Sequence, residues 1–320
     1  HRDLHSFPTR RSSDLNFQKI IMEYIKSKLS EDLAKKILGS KDNALKYLLH
    51  INKYKKVAGL EFKICSRGKN KGQNMPCIDP QNIWKIVVNN WDYELSKNAI
   101  RELFKETEKY KSGKDANNVM DLLVKEWESL KLGNIEWPFS QGDFDGFVQR
   151  INSESNSGLV KDEKVKVAAV KYRRIKEINT VRNDFIETLI FEKNENILPT
   201  LNHRRGVDFF IDGVSFDQKV AKSPTNQFKT RFKDNWKEEA VKNPGLVAEY
   251  LYKYQDEGRF GADPRLLVVY LDEDISIQKI RETIKSTDLN KPIEINFSFK
   301  HKVQGDKSYK VPCFVILLHN

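Results

Sequence analysis

Residues 205–224 read RGVDFFIDGVSFDQKVAKSP. At their centre, Asp212-Gly213 is the sequence of a two-residue hairpin turn, because a type I′ turn needs φ > 0 at both central positions. With that turn Ile211 faces Val214. Counting outward, Phe210 faces Ser215, Phe209 faces Phe216, and Asp208 faces Asp217. Side chains alternate faces along a strand. Asp208, Asp217 and Lys219 therefore share one face. Val207, Phe209, Ile211, Val214, Phe216 and Val220 share the other, which reads as core. Opposed carboxylates in a sheet pair are destabilising, with Cβ atoms only ~5 Å apart. A divalent cation between them removes the conflict, since two carboxylates, a backbone carbonyl and waters make a hard oxygen site of the kind Mg²⁺ takes. The alternative is a polar solvent face on which Lys219 neutralises Asp208 diagonally. Asp212, Gly206 and Gly213 read as structural.

A further acid lies upstream. Residues 161–192 predict one long helix, with Ala168, Tyr172, Ile175, Ile178, Val181, Phe185 and Leu189 on a single apolar stripe. Lys164, Lys171, Arg174 and Arg182 lie off it, either as a solvated face or as phosphate contacts. Near the end of that helix FIETLIF (185–191) is apolar nearly all round, with Glu187 inside it. A buried carboxylate is costly unless paired or bound to metal. His203, Arg204 and Arg205 follow, either to hold the scissile strand or to pair with Glu187.

A helix bearing Glu, then a hairpin with Asp on one strand and Asp-x-Lys on the next, resembles the PD-(D/E)XK nuclease superfamily. Val207-Asp208 stands for the "PD", with Val in place of Pro, and Asp217-Gln218-Lys219 for the "(D/E)XK". The elements come in the family's order: the Glu187 helix, the hairpin, a helix near Val247 and a strand from Arg265. The resemblance covers residues 161–272. It implies a mixed α/β (α+β) restriction-endonuclease-like core, a mixed central sheet flanked by helices, over residues 156–320. Residues 16–155 read as a mainly helical domain for DNA recognition or dimerisation, with SESNSG (153–158) as the linker. The resemblance also implies metal-dependent phosphodiester hydrolysis. Asp208, Asp217, the Gln218 carbonyl and Glu187 would hold Mg²⁺, for which Mn²⁺ substitutes. Lys219 would orient the attacking water and balance charge. Arg204, Arg205, Lys222, Ser223, Asn226, Gln227, Lys229, Arg231 and Lys233 would form a track for double-stranded DNA. Phosphate contacts position a duplex and base contacts specify it. The function implied is that of a type II restriction endonuclease, with a homodimer and a cognate DNA methyltransferase as partners. A structure-directed repair or recombination nuclease is the nearest alternative. A nucleic-acid binder without catalysis is the alternative from another class.

Composition sets the bounds. The chain has 320 residues, 56 Lys plus Arg against 45 Asp plus Glu, and a net charge of +11. A basic balance favours polyanionic partners. The longest apolar runs, LLVVYL and CFVILL, fall far short of the ~20 residues of a membrane-spanning helix. Three cysteines without a CxxC spacing fit neither a disulfide scaffold nor a zinc site, and they read as reduced core residues in a cytoplasm. Residues 5–15, HSFPTRRSSDL, resemble the conceptual translation of a common sequencing adaptor, so 1–15 read as an artefact; the alternative is a Ser/Arg-rich targeting tail.

Elsewhere the periodicity predicts helices over 16–28, 30–38, 41–51, 80–90, 96–111, 115–132, 244–256 and 276–285. SRGKNKGQNMP (66–76) reads as an exposed basic loop after the strand-like LEFKIC, either a solvated turn or a contact for phosphates, and WPFSQGDFDGF (137–147) as a packed connector, with a substrate loop as the alternative. Residues 265–271 predict a central strand, and 293–299 with 313–318 a hairpin. Trp236, Tyr250, Tyr252 and Tyr254 read as packing for the helix that covers the sheet.

Overall fold

The computed structural model describes residues 17–18, 24–66, 69, 71–131, 141–201, 207–254, 262–272, 275–301 and 305–320. Residues 1–15, Arg204 and Arg205 lie outside them. The chain is mixed α/β. In chain order it begins β1 (Phe17–Gln18), α1 (Glu31–Leu38), α2 (Lys41–Asn52), β2 (Glu61–Ile64) and β3 (Asn74–Cys77). Helices α3 (Ile83–Asn89), α4 (Tyr93–Lys105), α5 (Glu108–Lys114), α6 (Ala116–Ser129), α7 (Gln141–Ser153) and α8 (Gly158–Lys193) follow. Then come β4 (Ile197–Pro199), β5 (Phe209–Ile211), β6 (Val214–Ala221), α9 (Asn226–Phe232), α10 (Trp236–Lys242) and α11 (Pro244–Lys253). The chain closes with β7 (Arg265–Tyr270), α12 (Ile277–Ser286), β8 (Ile293–His301) and β9 (Gly305–Leu318).

Two compact units form. One, mainly helical, gathers Tyr24–Ser215 with Asp274–Thr287. The other, built on a sheet, gathers Phe216–Glu273 with Asp288–His319 and the N-terminal strand. The division falls inside β6. SESNSG instead spans the turn between α7 and α8, which pack on each other within the helical unit.

In the helical unit, side-chain caps set the helix starts. Ser30, Ser40, Asp92 and Thr107 each accept a hydrogen bond from the backbone N–H three residues on. The expected helix over 96–111 is two helices for this reason. Thr107 donates its hydroxyl to the Phe104 carbonyl and accepts from the Tyr110 N–H, which breaks α4 from α5. The expected long helix is α8, 36 residues and about 54 Å at 1.5 Å per residue. Its end is clamped by Arg101, whose guanidinium donates to the carbonyls of Phe191, Asn194 and Ile197 and lies over the Phe191 ring. Residues 141–147, read as connector, are helical within α7.

In the sheet unit, β7 is buried at every residue, as a central strand should be. It pairs parallel with β6 on one side and with β9 on the other. β8 and β9 form the expected hairpin, with Ile293 opposite Cys313, and both strands run longer than predicted. The helix expected from residue 16 does not form at its start. Phe17–Gln18 pair parallel with Ser308–Tyr309 of β9, while Tyr24 bridges Val214 in the helical unit. Strand edges offered hydrogen bonds that a short apolar repeat could not match in a helix.

Cys65, Cys77 and Cys313 are free thiols. Cys313 is buried, and burial pushes its pKa up to about 12. Cys77 is exposed, so the expectation of three core cysteines fails there. Iodoacetamide at pH 8 is therefore expected to label Cys77 in minutes and Cys313 only after denaturation, read by mass spectrometry. Equal labelling rates would contradict this placement.

Candidate active site

The hairpin turn is built as its sequence demands. Asp212 and Gly213 take φ of 51° and 82°. A Cβ at Gly213 would stand 2.7 Å from Lys26 Cγ, so glycine is needed for space as well as for φ. The Asp212 carboxylate accepts from Asn196 Nδ2 at 3.0 Å and pairs with Lys26 at 3.6 Å, a structural role as read. Val207, Phe209, Ile211 and Phe216 are buried. Phe210 and Ser215 are buried too, which goes against the alternative of a solvent-facing second side at these two residues. Phe210 joins Ile37, Leu38, Leu48 and Leu198 in the helical core, because the N-terminal helices cover that side of the hairpin.

In the helical unit, Glu187 is buried among apolar neighbours on α8, as its sequence context predicts. His203, Arg204 and Arg205, the partners considered for it in the sequence, lie outside the described residues. Lys109 of α5, 11% exposed, forms an ion pair with Glu187. Burial pulls the Lys109 pKa below the usual lysine range, opposed by the charges of Asp208 and Asp184. Asp184 lies one turn before Glu187 on α8 and is also buried. Asp208 is half-buried just ahead of β5, and its carbonyl accepts from the Thr200 N–H at 3.0 Å. One lysine thus serves a group of carboxylates. The α5–α8 approach that permits this depends on Gly113, one turn past Lys109. A Cβ there would overlap the Asp184 carbonyl and the Thr188 hydroxyl.

In the sheet unit, Asp217 and Lys219 sit two residues apart on β6 and so share a face. The Lys219 ammonium reaches both Asp217 oxygens, at 2.9 and 2.8 Å. The Asp217 side chain is 12% exposed and that of Lys219 is 39% exposed. Gln218 between them is half-buried. The Asp217 N–H donates to the Pro264 carbonyl at 3.0 Å, which locks the strand to β7 at that point.

Downstream, Asn226, Gln227, Arg231 and Lys233 are exposed at or beside α9, and Lys222 is exposed just after β6. Ser223 is half-buried and donates to the Pro224 carbonyl. Arg231 donates to the Tyr250 hydroxyl at 2.9 Å, and Lys229 lies over the Trp236 ring. Of the aromatics expected to pack the helices, Trp236 is half-buried and Tyr254 is exposed. Tyr250 and Tyr252 are buried.

Among the described residues, no three His, Cys, Asp or Glu side chains gather into a group that could hold a metal ion. In the sheet unit, the donors of the hard-oxygen kind that suit Mg²⁺ are the Asp217 carboxylate and the Gln218 carbonyl. Asp217 already accepts a cation, the Lys219 ammonium, at both oxygens. Sequence reading missed Lys109, Asp184 and Gly113; each takes its role from the packing of α5 on α8. Comparison with protein-family models, curated proteins and solved structures gives no significant match. Among the described residues no helix is long and apolar enough to cross a membrane.

Proposed function

We propose that this chain is a metal-dependent DNA endonuclease of the type II restriction kind. The observation that carries the reading is Asp217-Gln218-Lys219 on β6, acid and lysine on one face and joined at both carboxylate oxygens, beside the buried strand β7. The positive φ at Asp212 and Gly213 supports the two-residue turn on which the hairpin reading rests. On the sheet unit, the Asp217 carboxylate and the Gln218 carbonyl would hold Mg²⁺. The bound ion supplies a Lewis acid for the phosphoryl oxygen and a lowered pKa for the attacking water. Lys219 orients that water and offsets the charge that develops on the phosphoryl oxygens. Lys109 holds Glu187 in place by an ion pair within an apolar wall.

Phage DNA incubated with the chain and Mg²⁺ tests this. Discrete fragments, lost on adding EDTA, are the expected result. A Mg²⁺-dependent smear would replace sequence-specific cutting with structure-directed or nonspecific cutting. Intact DNA shifted in a gel would leave only a binder.

A further inference from the structure

The hairpin β2–β3 stands apart from the packing of the helical unit. Its feet are fixed. Leu60 and Ile78 pack against the helical core, and Asn90 exchanges two hydrogen bonds with the backbone of Ala58. Between those feet every residue of β2 is exposed, with Ile64 at 74% and Phe62 at 44%. The ladder Glu61↔Cys77 to Ile64↔Asn74 continues into the loop through Cys65 N–H to Gln73 O and Gly72 N–H to Cys65 O. A lone two-stranded ribbon is marginal in water and buries little. Its retention with two apolar side chains in solvent calls for a partner.

Charge says which. Residues 53–71 carry seven Lys or Arg and one Glu, a net +6 of the chain's +11. Lys53, Lys55, Lys56, Lys63, Lys69 and Lys71 are exposed, and Tyr54, Phe62 and Ile64 are interleaved with them. Lys63 pairs with Glu61 at 3.1 Å, the one acid of the stretch. A polyanion fits this surface and an acid-poor protein face does not. The ribbon's four-residue strands span about 13 Å. A B-form major groove, about 12 Å wide, admits a two-stranded ribbon, whereas the A-form major groove is too narrow.

We propose that β2–β3 is a DNA-docking ribbon that enters the major groove, with Lys63, Lys69 and Lys71 on phosphates and Phe62 and Ile64 against base edges. This rests on the DNA reading of the chain and names the element that holds the duplex. The test is fluorescence anisotropy of a 30-base-pair duplex in EDTA, where no cutting intervenes. The combined variant Lys63→Gln, Lys69→Gln, Lys71→Gln is compared with a control that removes equal charge elsewhere, Lys41→Gln, Lys242→Gln, Lys291→Gln. The ribbon variant is expected to bind at least tenfold more weakly, with a log–log salt slope shallower by about two to three, near one per phosphate contact. The control is expected to stay within about threefold of wild type. Equal losses in both variants, or wild-type affinity in the ribbon variant, would overturn the ribbon. So would equal affinity for single-stranded DNA or duplex RNA. Binding as expected without Mg²⁺-dependent cutting would sink the nuclease reading and leave the ribbon standing. A wild-type chain that binds no duplex would sink both.

Discussion

Asp217→Ala is expected to lower DNA cleavage by at least about 1000-fold while duplex affinity in EDTA changes by less than about threefold. The loss corresponds to about 4 kcal/mol of transition-state stabilisation. It follows from two consequences of one carboxylate. Asp217 is a proposed ligand of the metal, and both its oxygens hold the Lys219 ammonium. Removing it would take away a proposed metal donor and the carboxylate that fixes the lysine proposed to orient water. Binding survives because the carboxylate repels DNA phosphate and contacts none. The fold is expected to survive too, because the Lys219 side chain is 39% exposed and its charge stays accessible to water. Asp217→Asn, of equal size, keeps the packing and is expected to lose cleavage to a similar extent. Single-turnover cleavage with anisotropy on the same preparations checks this. Cleavage at wild-type rate in either variant would remove Asp217 from the site.

Gly113→Ala is expected to destabilise the chain by about 2–3 kcal/mol, at the upper end of the usual cost of overpacking. The added methyl would overlap the Asp184 carbonyl and the Thr188 hydroxyl, and would lie 2.8 Å from Thr188 Cβ. A backbone carbonyl cannot rotate away, so α5 must lift from α8. Lys109 lies on the same face of α5, four residues earlier, and moves with it. Its separation from Glu187 would leave a buried carboxylate without its cation, which adds to the loss. The melting temperature is expected to fall by roughly 5–8 °C. Gly146→Ala in α7 is the control, since nothing lies within 4 Å of a Cβ there, and it is expected to be neutral or mildly stabilising. Equal melting of Gly113→Ala and wild type would contradict the packing of α5 on α8.

The parts of the fold legible in sequence are those that local chemistry decides. Asp212-Gly213 fixes a turn by φ alone, the stripe from Ala168 to Leu189 marks α8, and the LLVVYL run marks a strand buried on both faces. Glu187 was legible as buried because its neighbours are apolar. Its cation was not, since Lys109 is 78 positions earlier on a seven-residue helix with no stripe of its own. Phe17–Gln18 escaped for the same reason: a partner strand some 290 residues away outweighed a helical repeat. The cover over Phe210 was not legible either, because alternation assigns a side and only packing says what lies against it.

The most direct measurement is supercoiled plasmid incubated with the wild-type chain in Mg²⁺, in EDTA, and with Asp217→Ala in Mg²⁺. The account predicts nicked and linear DNA in the first and intact DNA in the other two. Cutting that persists in EDTA, or that proceeds equally with Asp217→Ala, would contradict a metal-dependent site on β6.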